Sequence, residues 1–234
     1  MIRTTEAMLI AGRRSKKKGG VNLWEADLVD LPSRAVERIA ELCRDADLVG
    51  FNVMTLYFNE TARVTDQLKG RIKAPIIWGG IHPMIRPEES LAHADMVAFG
   101  EAEETLVELT GRLAAGRPLE GLAGIWYREG ERVVKNPVRQ PPADLDRFPP
   151  PDISCRDHYI LAGDDLVPLD RQTYLGKIGH HYMTIAVRGC HCRCTYCCNS
   201  QFVKMFDNWS RLRAKSVPAI IAELRDIKEQ FPEI

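Results

Sequence analysis

Five of the seven cysteines of this chain fall between Cys190 and Cys198. Cysteines packed this closely make poor disulfide partners, because a disulfide gains most by closing a longer loop. The same knot in a reducing compartment reads as metal binding. Cys190, Cys194 and Cys197 stand at positions 1, 5 and 8 of one loop. A cuboidal iron–sulfur cluster takes one thiolate per iron. That spacing can wrap three corners of a cube and leave the fourth iron without a protein ligand. A zinc knuckle is the competing reading. It would use Cys194 and Cys197 with two of Cys190, Cys192, Cys198, His180, His181 or His191. Cys192 and Cys198 are surplus to a three-thiolate site and read as bystanders. Cys43 sits on an apolar helix face and reads as core, and Cys155 has no assigned role.

The loop needs an element on each side. Tyr182 to Val187 reads as a strand leading into Arg188-Gly189-Cys190. Downstream, Ser216 is an N-cap and Pro218 fits the first turn of a helix. Val217, Ile220, Ile221, Leu224, Ile227 and Phe231 form its apolar stripe. Before the loop lies a proline-rich stretch, Gln140-Pro141-Pro142 to Pro149-Pro150-Pro151, which reads as a stiff connector. The segment from Ile153 to His181 is polar and mixed and stays unassigned.

The first half alternates strand-like and helix-like segments. Val21–Leu28, Asp47–Met54, Pro75–Trp78 and Asp95–Phe99 read as strands. Helices follow at Ser33–Cys43, around Val64–Ile72, at Glu88–His93 and over Leu106–Leu113. Buried strands alternating with helices imply an α/β fold with a doubly wound parallel sheet. Ligands sit beyond the carboxyl ends of such strands. The turns at Thr55, at Gly79-Gly80-Ile81-His82 and at Gly100-Glu101 fall at that edge. Thr55, Gly79, Gly80, His82, Gly100 and Glu101 are therefore the candidate ligand contacts. Ile125–Arg128 and Arg132–Val134 flank Glu129-Gly130-Glu131 and read as a hairpin.

Residues 182–200 resemble the cluster-binding loop of the radical S-adenosylmethionine (SAM) superfamily, whose CxxxCxΦC motif has an aromatic at Φ, here Tyr196. Arg188-Gly189 before the loop and Lys215-Ser216 before a helix bearing Ala222-Glu223-Leu224 are also similar to members of it. Residues 21–152 resemble the cobalamin-binding domain that precedes the barrel in one radical SAM class. The matching stretches are Asp47-Leu48-Val49-Gly50, Gly79-Gly80-Ile81-His82-Pro83, Pro87-Glu88-Glu89, Gly100-Glu101-Ala102-Glu103 and Gly124-Ile125-Trp126-Tyr127.

The resemblance implies a [4Fe–4S] cluster on Cys190, Cys194 and Cys197, with Tyr196 at the cofactor. SAM would chelate the open iron and be cleaved reductively to a 5′-deoxyadenosyl radical, and cobalamin would deliver a methyl group. It also implies an external electron donor and a small-molecule substrate. Some cobalamin domains hold cobalt through an Asp-x-His-x-x-Gly motif. None occurs here, so no histidine is expected on cobalt. Two readings stand against this one: a radical SAM enzyme without bound cobalamin, and a non-catalytic module that binds a cofactor or metal.

The expected organisation is a cobalamin-binding-like domain over 1–140, a linker over 141–175, and the first strand–loop–helix unit of a radical SAM partial barrel over 176–234. The rest of that barrel is expected to lie beyond Ile234, so the chain reads as a fragment with a loosely covered final helix. Basic and acidic residues number 32 each. That balance gives no electrostatic case for a nucleic-acid or anionic-membrane partner, and the basic run Arg13–Lys18 reads as a solvated helix end. No run approaches the roughly 20 apolar residues of a membrane span. A secretory signal is not evident, so a cytoplasmic location is expected.

Overall fold

The computed structural model describes residues 9–12, 21–24, 33–178 and 181–234. The expectations for Arg13–Lys18, for 25–28 and for His180 lie outside them. The chain divides into two compact units. One comprises the described residues up to Arg139 together with Arg156–Leu169. The other comprises Gln140–Cys155 and the described residues of Asp170–Ile234.

Among the described residues, the first unit is a nine-stranded mixed sheet flanked by helices. In chain order it contains β1 (Leu9–Gly12), β2 (Val21–Trp24), α1 (Ser33–Leu42), β3 (Leu48–Asn52), α2 (Phe58–Lys69), β4 (Ile76–Gly79), α3 (Ile81–Ile85), α4 (Pro87–Ser90), β5 (Met96–Ala98), α5 (Glu103–Ala114), β6 (Ile125–Glu129), β7 (Arg132–Lys135), β8 (His158–Ala162) and β9 (Asp165–Pro168). The strand order is β7-β6-β5-β4-β3-β1-β2-β8-β9.

β3, β4 and β5 pair in parallel, with Asn52 opposite Gly79 and Trp78 opposite Val97. These strands are apolar nearly throughout because both faces are covered. On one face α1 and α2 bring Val36, Ile39, Cys43, Val64 and Leu68 onto Val49, Phe51, Ile76 and Trp78. On the other, Leu109 of α5 packs with Leu48, Ile77, Met96 and Ala98. Cys43 is core, as its helix face implied. Trp78 is fully buried, and its indole N–H donates to the Thr65 hydroxyl at 3.1 Å. The β6–β7 hairpin turns at Gly130, which takes φ +60°, and its register pairs Glu129 with Arg132.

Two features differ from the expected sheet. β1 runs antiparallel between β2 and β3. The 141–175 segment, expected as a linker, is divided between the two units. Its hairpin β8–β9 extends the sheet of the first unit through parallel pairing of β8 with β2. Its proline-rich part, 140–155, is built into the second unit.

The second unit contains α6 (Arg171–Ile178), β10 (Val187–Arg188), α7 (Asn199–Met205), β11 (Arg213–Ala214) and α8 (Val217–Gln230). Ser216 caps α8, its side chain accepting from the Ala219 N–H. The expected strand over 182–187 forms only at its end, where β10 pairs antiparallel with β11. Residues 181–186 have no ladder partner among the described residues. Their alternation creates a strand-like face, but a ladder also needs a neighbouring strand. Ile227 and Phe231 are buried on α8, whereas Val217, Ile221 and Leu224 stay exposed.

Among the described residues no helix is long and apolar enough to cross a membrane.

Candidate functional sites

Each unit carries one candidate site. In the second unit, Gly189 opens the cysteine loop at φ +90°. A Cβ there would lie 2.5 Å from the Arg211 carbonyl oxygen and 2.8 Å from that of Trp209. Only glycine fits, and it allows the Cys190 N–H to donate to the Trp209 carbonyl at 3.0 Å. The loop ends in a turn in which the Cys197 N–H donates to the Cys194 carbonyl. It then rolls into α7, with the Ser200 hydroxyl donating to the Cys197 carbonyl at 2.8 Å.

Behind the loop, Trp209 packs against Phe202 and Phe206 at 5.1 Å. Its indole N–H donates to Asn199 Oδ1 at 3.0 Å, and Asn199 Nδ2 reaches Cys197 Sγ at 3.6 Å. The Asn199 backbone N–H, then its side-chain amide, hold the Cys197 thiol below its ordinary pKa. That favours the thiolate, the form that ligates metals. Cys192 is pushed up, chiefly by the neighbouring Cys190. Cys198 is pushed up first by burial and then by Cys197. The two surplus cysteines are thus electrostatically unlike Cys197. Tyr196 is 92% exposed.

The proline-rich segment braces this loop. Gln140 Oε1 accepts from the Asp207 N–H, the Pro141 carbonyl from Asn208 Nδ2, and the Pro142 carbonyl from the buried Arg213. Asp146 accepts from the Ser216 N–H.

On α8, buried Glu223 accepts from the Tyr182 hydroxyl at 2.8 Å and the Thr184 hydroxyl at 2.6 Å, and pairs with Lys215. Burial alone would raise this carboxyl. The hydrogen bonds from Lys215, Thr184 and Tyr182 outweigh burial and hold it below its ordinary range. Tyr182 is correspondingly raised, by burial first and then by Glu223.

All seven cysteines are free thiols. Among the described residues no three His, Cys, Asp or Glu side chains converge on a position for a single ion. A cuboidal cluster makes a different demand, one thiolate per iron. The donor set of Cys190, Cys194 and Cys197 on one glycine-hinged loop fits it.

In the first unit, the carboxyl ends of β3, β4 and β5 lead to Thr55, to Gly79-Gly80 and to Gly100 respectively, so these turns share one sheet edge. The first two turns are tied together. The Val53 N–H donates to the Gly79 carbonyl at 2.7 Å, and the His82 N–H donates to the Val53 carbonyl at 3.0 Å. His82 Nδ1 lies 3.3 Å from the Thr55 hydroxyl, across 27 residues of sequence. Thr55 is exposed, while His82 is only 4% exposed. The imidazole packs against the Phe58 ring, tilted, with centroids 4.4 Å apart. Burial holds it below its ordinary pKa, against the pull of Glu89. Leu56, beside Thr55, is 76% exposed. Gly100 takes φ +79° at the third turn, next to Glu101.

Gly80 has a different role from the one expected. At φ +95° a Cβ would lie 2.2 Å from Asn52 Oδ1, 2.9 Å from Val53 N and 3.0 Å from Val53 O. Its missing side chain makes room for the protein's own β3 loop rather than for a ligand. Gly79 would place a Cβ 3.8 Å from Ala98 Cβ, an ordinary contact. Asn199, Trp209, Glu89 and Asn52 are not among the candidate site residues that the sequence offers. Their roles arise from contacts formed only in the fold.

Residues 19–110 match the family described as B12 binding domain. The chain is 31% identical over 192 residues to an uncharacterised methyltransferase of Pyrococcus horikoshii, a match covering 80% of this chain and 38% of that protein. It is 27% identical over 210 residues to the anaerobic magnesium-protoporphyrin IX monomethyl ester cyclase of Synechocystis, covering 87% of this chain and 38% of that one. The chain thus spans under two fifths of the length of these relatives.

Among solved structures it is similar to the radical SAM methyltransferase TsrM of Kitasatospora setae, with cobalamin and a [4Fe–4S] cluster bound (TM-score 0.60, 18% identity, 83% of this chain and 38% of that one). It is also similar to the cobalamin-dependent SAM radical enzyme OxsB with aqua-cobalamin and SAM bound (TM-score 0.54, 21% identity, 85% of this chain and 26% of that one). These structures share the fold. The family match agrees with the resemblance, seen in the sequence, to a cobalamin-binding domain.

Proposed function

We propose that this chain serves a cobalamin-dependent radical SAM enzyme that transfers a methyl group to an unreactive carbon of a small molecule. One observation carries the reading: a B12-binding domain and a loop with cysteines at positions 1, 5 and 8 occur on one chain. When bound, the cluster with SAM supplies one-electron bond cleavage, and the corrinoid supplies the methyl group.

Cys190, Cys194 and Cys197 would hold the cluster. Gly189 sets the direction of the loop, and Asn199, held by Trp209, favours the Cys197 thiolate. Lys215 and Glu223 tie the 182–184 segment to α8 and so fix the approach to the loop. In the first unit, Thr55, Gly79, Gly100 and Glu101 would border the corrin. His82 is turned inward onto Phe58 and Thr55, which supports cobalt without a histidine ligand from this edge. An external electron donor completes the scheme, and free thiols suit a reducing, cytoplasmic setting.

Anaerobic reconstitution of the full-length protein with iron, sulfide and hydroxocobalamin tests this reading. Retention of both a cluster and a corrinoid, with methylated product from SAM, is expected. A cluster without any corrinoid would leave radical SAM chemistry alone. Zinc in place of iron would leave a non-catalytic module.

A further inference from the structure

We propose that Glu89, His82 and Thr55 form a relay, the Glu89 carboxylate setting the His82 tautomer and His82 in turn fixing the exposed Thr55 hydroxyl as an acceptor. This point of the sheet edge therefore takes a hydrogen-bond donor, such as a primary amide on the corrin rim, and rejects a carboxylate. The assignment of ligand rests on the cobalamin reading above; the polarity of the relay does not.

His82 Nε2 has no hydrogen-bond partner, yet it lies 3.5 Å from the Glu89 carboxylate. A neutral imidazole carries one proton on one of its two nitrogens. A bare Nε2 would set its lone pair against a carboxylate, which is repulsive. A protonated Nε2 would face an anion, which is attractive. Burial disfavours the charged ring, and in the neutral ring a proton on Nε2 leaves Nδ1 as an acceptor.

The group facing Nδ1 is the Thr55 hydroxyl at 3.3 Å, and it must donate. A hydroxyl has one proton and two lone pairs. With its proton committed to His82, exposed Thr55 offers lone pairs only. The Phe58 ring against the imidazole, and the His82 N–H bonded to the Val53 carbonyl, hold the ring in this orientation. His82 is thus a positioning residue, and Thr55 makes the contact.

Two measurements test this. Long-range ¹H–¹⁵N correlation on histidine-labelled protein reads the tautomer without any ligand; the His82 signals are assigned by their loss in His82→Asn. A proton on Nε2 is expected, with the other tautomer appearing in Glu89→Ala. A proton on Nδ1 in the wild type would overturn the relay.

The second measurement is titration with cobalamin and with a corrinoid whose rim amides are hydrolysed to carboxylates. The carboxylate form should bind more weakly to the wild type, and that difference should shrink in Thr55→Val. Loss of one hydrogen bond should cost Thr55→Val about tenfold in cobalamin affinity. Thr55→Ser should keep it. His82→Asn places an amide oxygen near the Nδ1 position and should keep it too, whereas His82→Leu should not. Equal affinity for the two corrinoids, or an unchanged Thr55→Val, overturns the proposed contact. If the wild type takes up no corrinoid, the cobalamin reading and this ligand assignment both fall, and the tautomer result separates that outcome from failure of the relay.

Discussion

Gly80→Ala separates packing from ligand room at the sheet edge. Two costs add in the folded protein. Alanine at φ +95° occupies a left-handed conformation that costs about 1–2 kcal/mol. Its Cβ would also meet Asn52 Oδ1 at 2.2 Å and the Val53 backbone at 2.9 and 3.0 Å. The Asn52 side chain can swing away, but the Val53 backbone is held by its bonds to Gly79 and His82. Overpacking of this kind costs about 1–3 kcal/mol. The total is about 2–5 kcal/mol. With a urea m-value of about 2 kcal/mol/M, the unfolding midpoint of the first unit should fall by about 1–2.5 M. Tryptophan fluorescence reports it, since Trp78 lies in that core. Gly79→Ala is the control. Its Cβ makes only an ordinary contact with Ala98, so its stability should stay within about 0.5 kcal/mol of wild type. If Gly80→Ala unfolds with the wild-type midpoint and only corrinoid affinity changes, the packing argument is wrong.

Three further outcomes are expected. Cys190→Ala, Cys194→Ala and Cys197→Ala should each abolish iron loading on anaerobic reconstitution, while Cys192→Ala and Cys198→Ala should keep most of it; the reverse pattern would redraw the ligand set. Asn199→Ala should raise the Cys197 thiol toward its ordinary value, shifting the pH profile of alkylation at Cys197, read by mass spectrometry, to higher pH. Because Glu223 has a lowered folded pKa, its stabilisation is complete above the unfolded glutamate value of about 4.3 and is lost as pH falls through the lower folded value. Glu223→Gln should destabilise the second unit by about 1–3 kcal/mol at neutral pH and flatten this acid loss; a variant that keeps the wild-type acid slope would show that another group carries it.

The α/β alternation was legible because β3, β4 and β5 are buried on both faces and read as apolar runs. The cysteine loop was legible from residue type and spacing alone. Other features needed the fold. The β8–β9 hairpin has its own turn signal, Gly163-Asp164 between two short runs, but polar neighbours mask the runs. The residues of β1 cannot show that they insert antiparallel between β2 and β3, since pairing is a tertiary outcome. Met183, Ile185 and Val187 alternate like a strand face, yet alternation does not name the neighbour that must pair with it. Gly80 reads equally well as room for a ligand or room for the chain, and only the approach of Asn52 and Val53 decides. Asn199 and Trp209 lie ten residues apart, and nothing in their spacing marks them as support for Cys197. The proline-rich segment reads as a spacer by composition, but its carbonyls accept hydrogen bonds from 208–213.

The most direct test of the central claim is cofactor stoichiometry in the full-length protein after anaerobic reconstitution and gel filtration. Mössbauer and optical spectra would be recorded for the wild type and for the Cys190→Ala/Cys194→Ala/Cys197→Ala triple variant. The expected result is a [4Fe–4S] cluster and a corrinoid together on the wild type, with the triple variant losing the cluster and keeping the corrinoid. A triple variant that still carries the cluster, or a wild type that carries no corrinoid, would contradict the account.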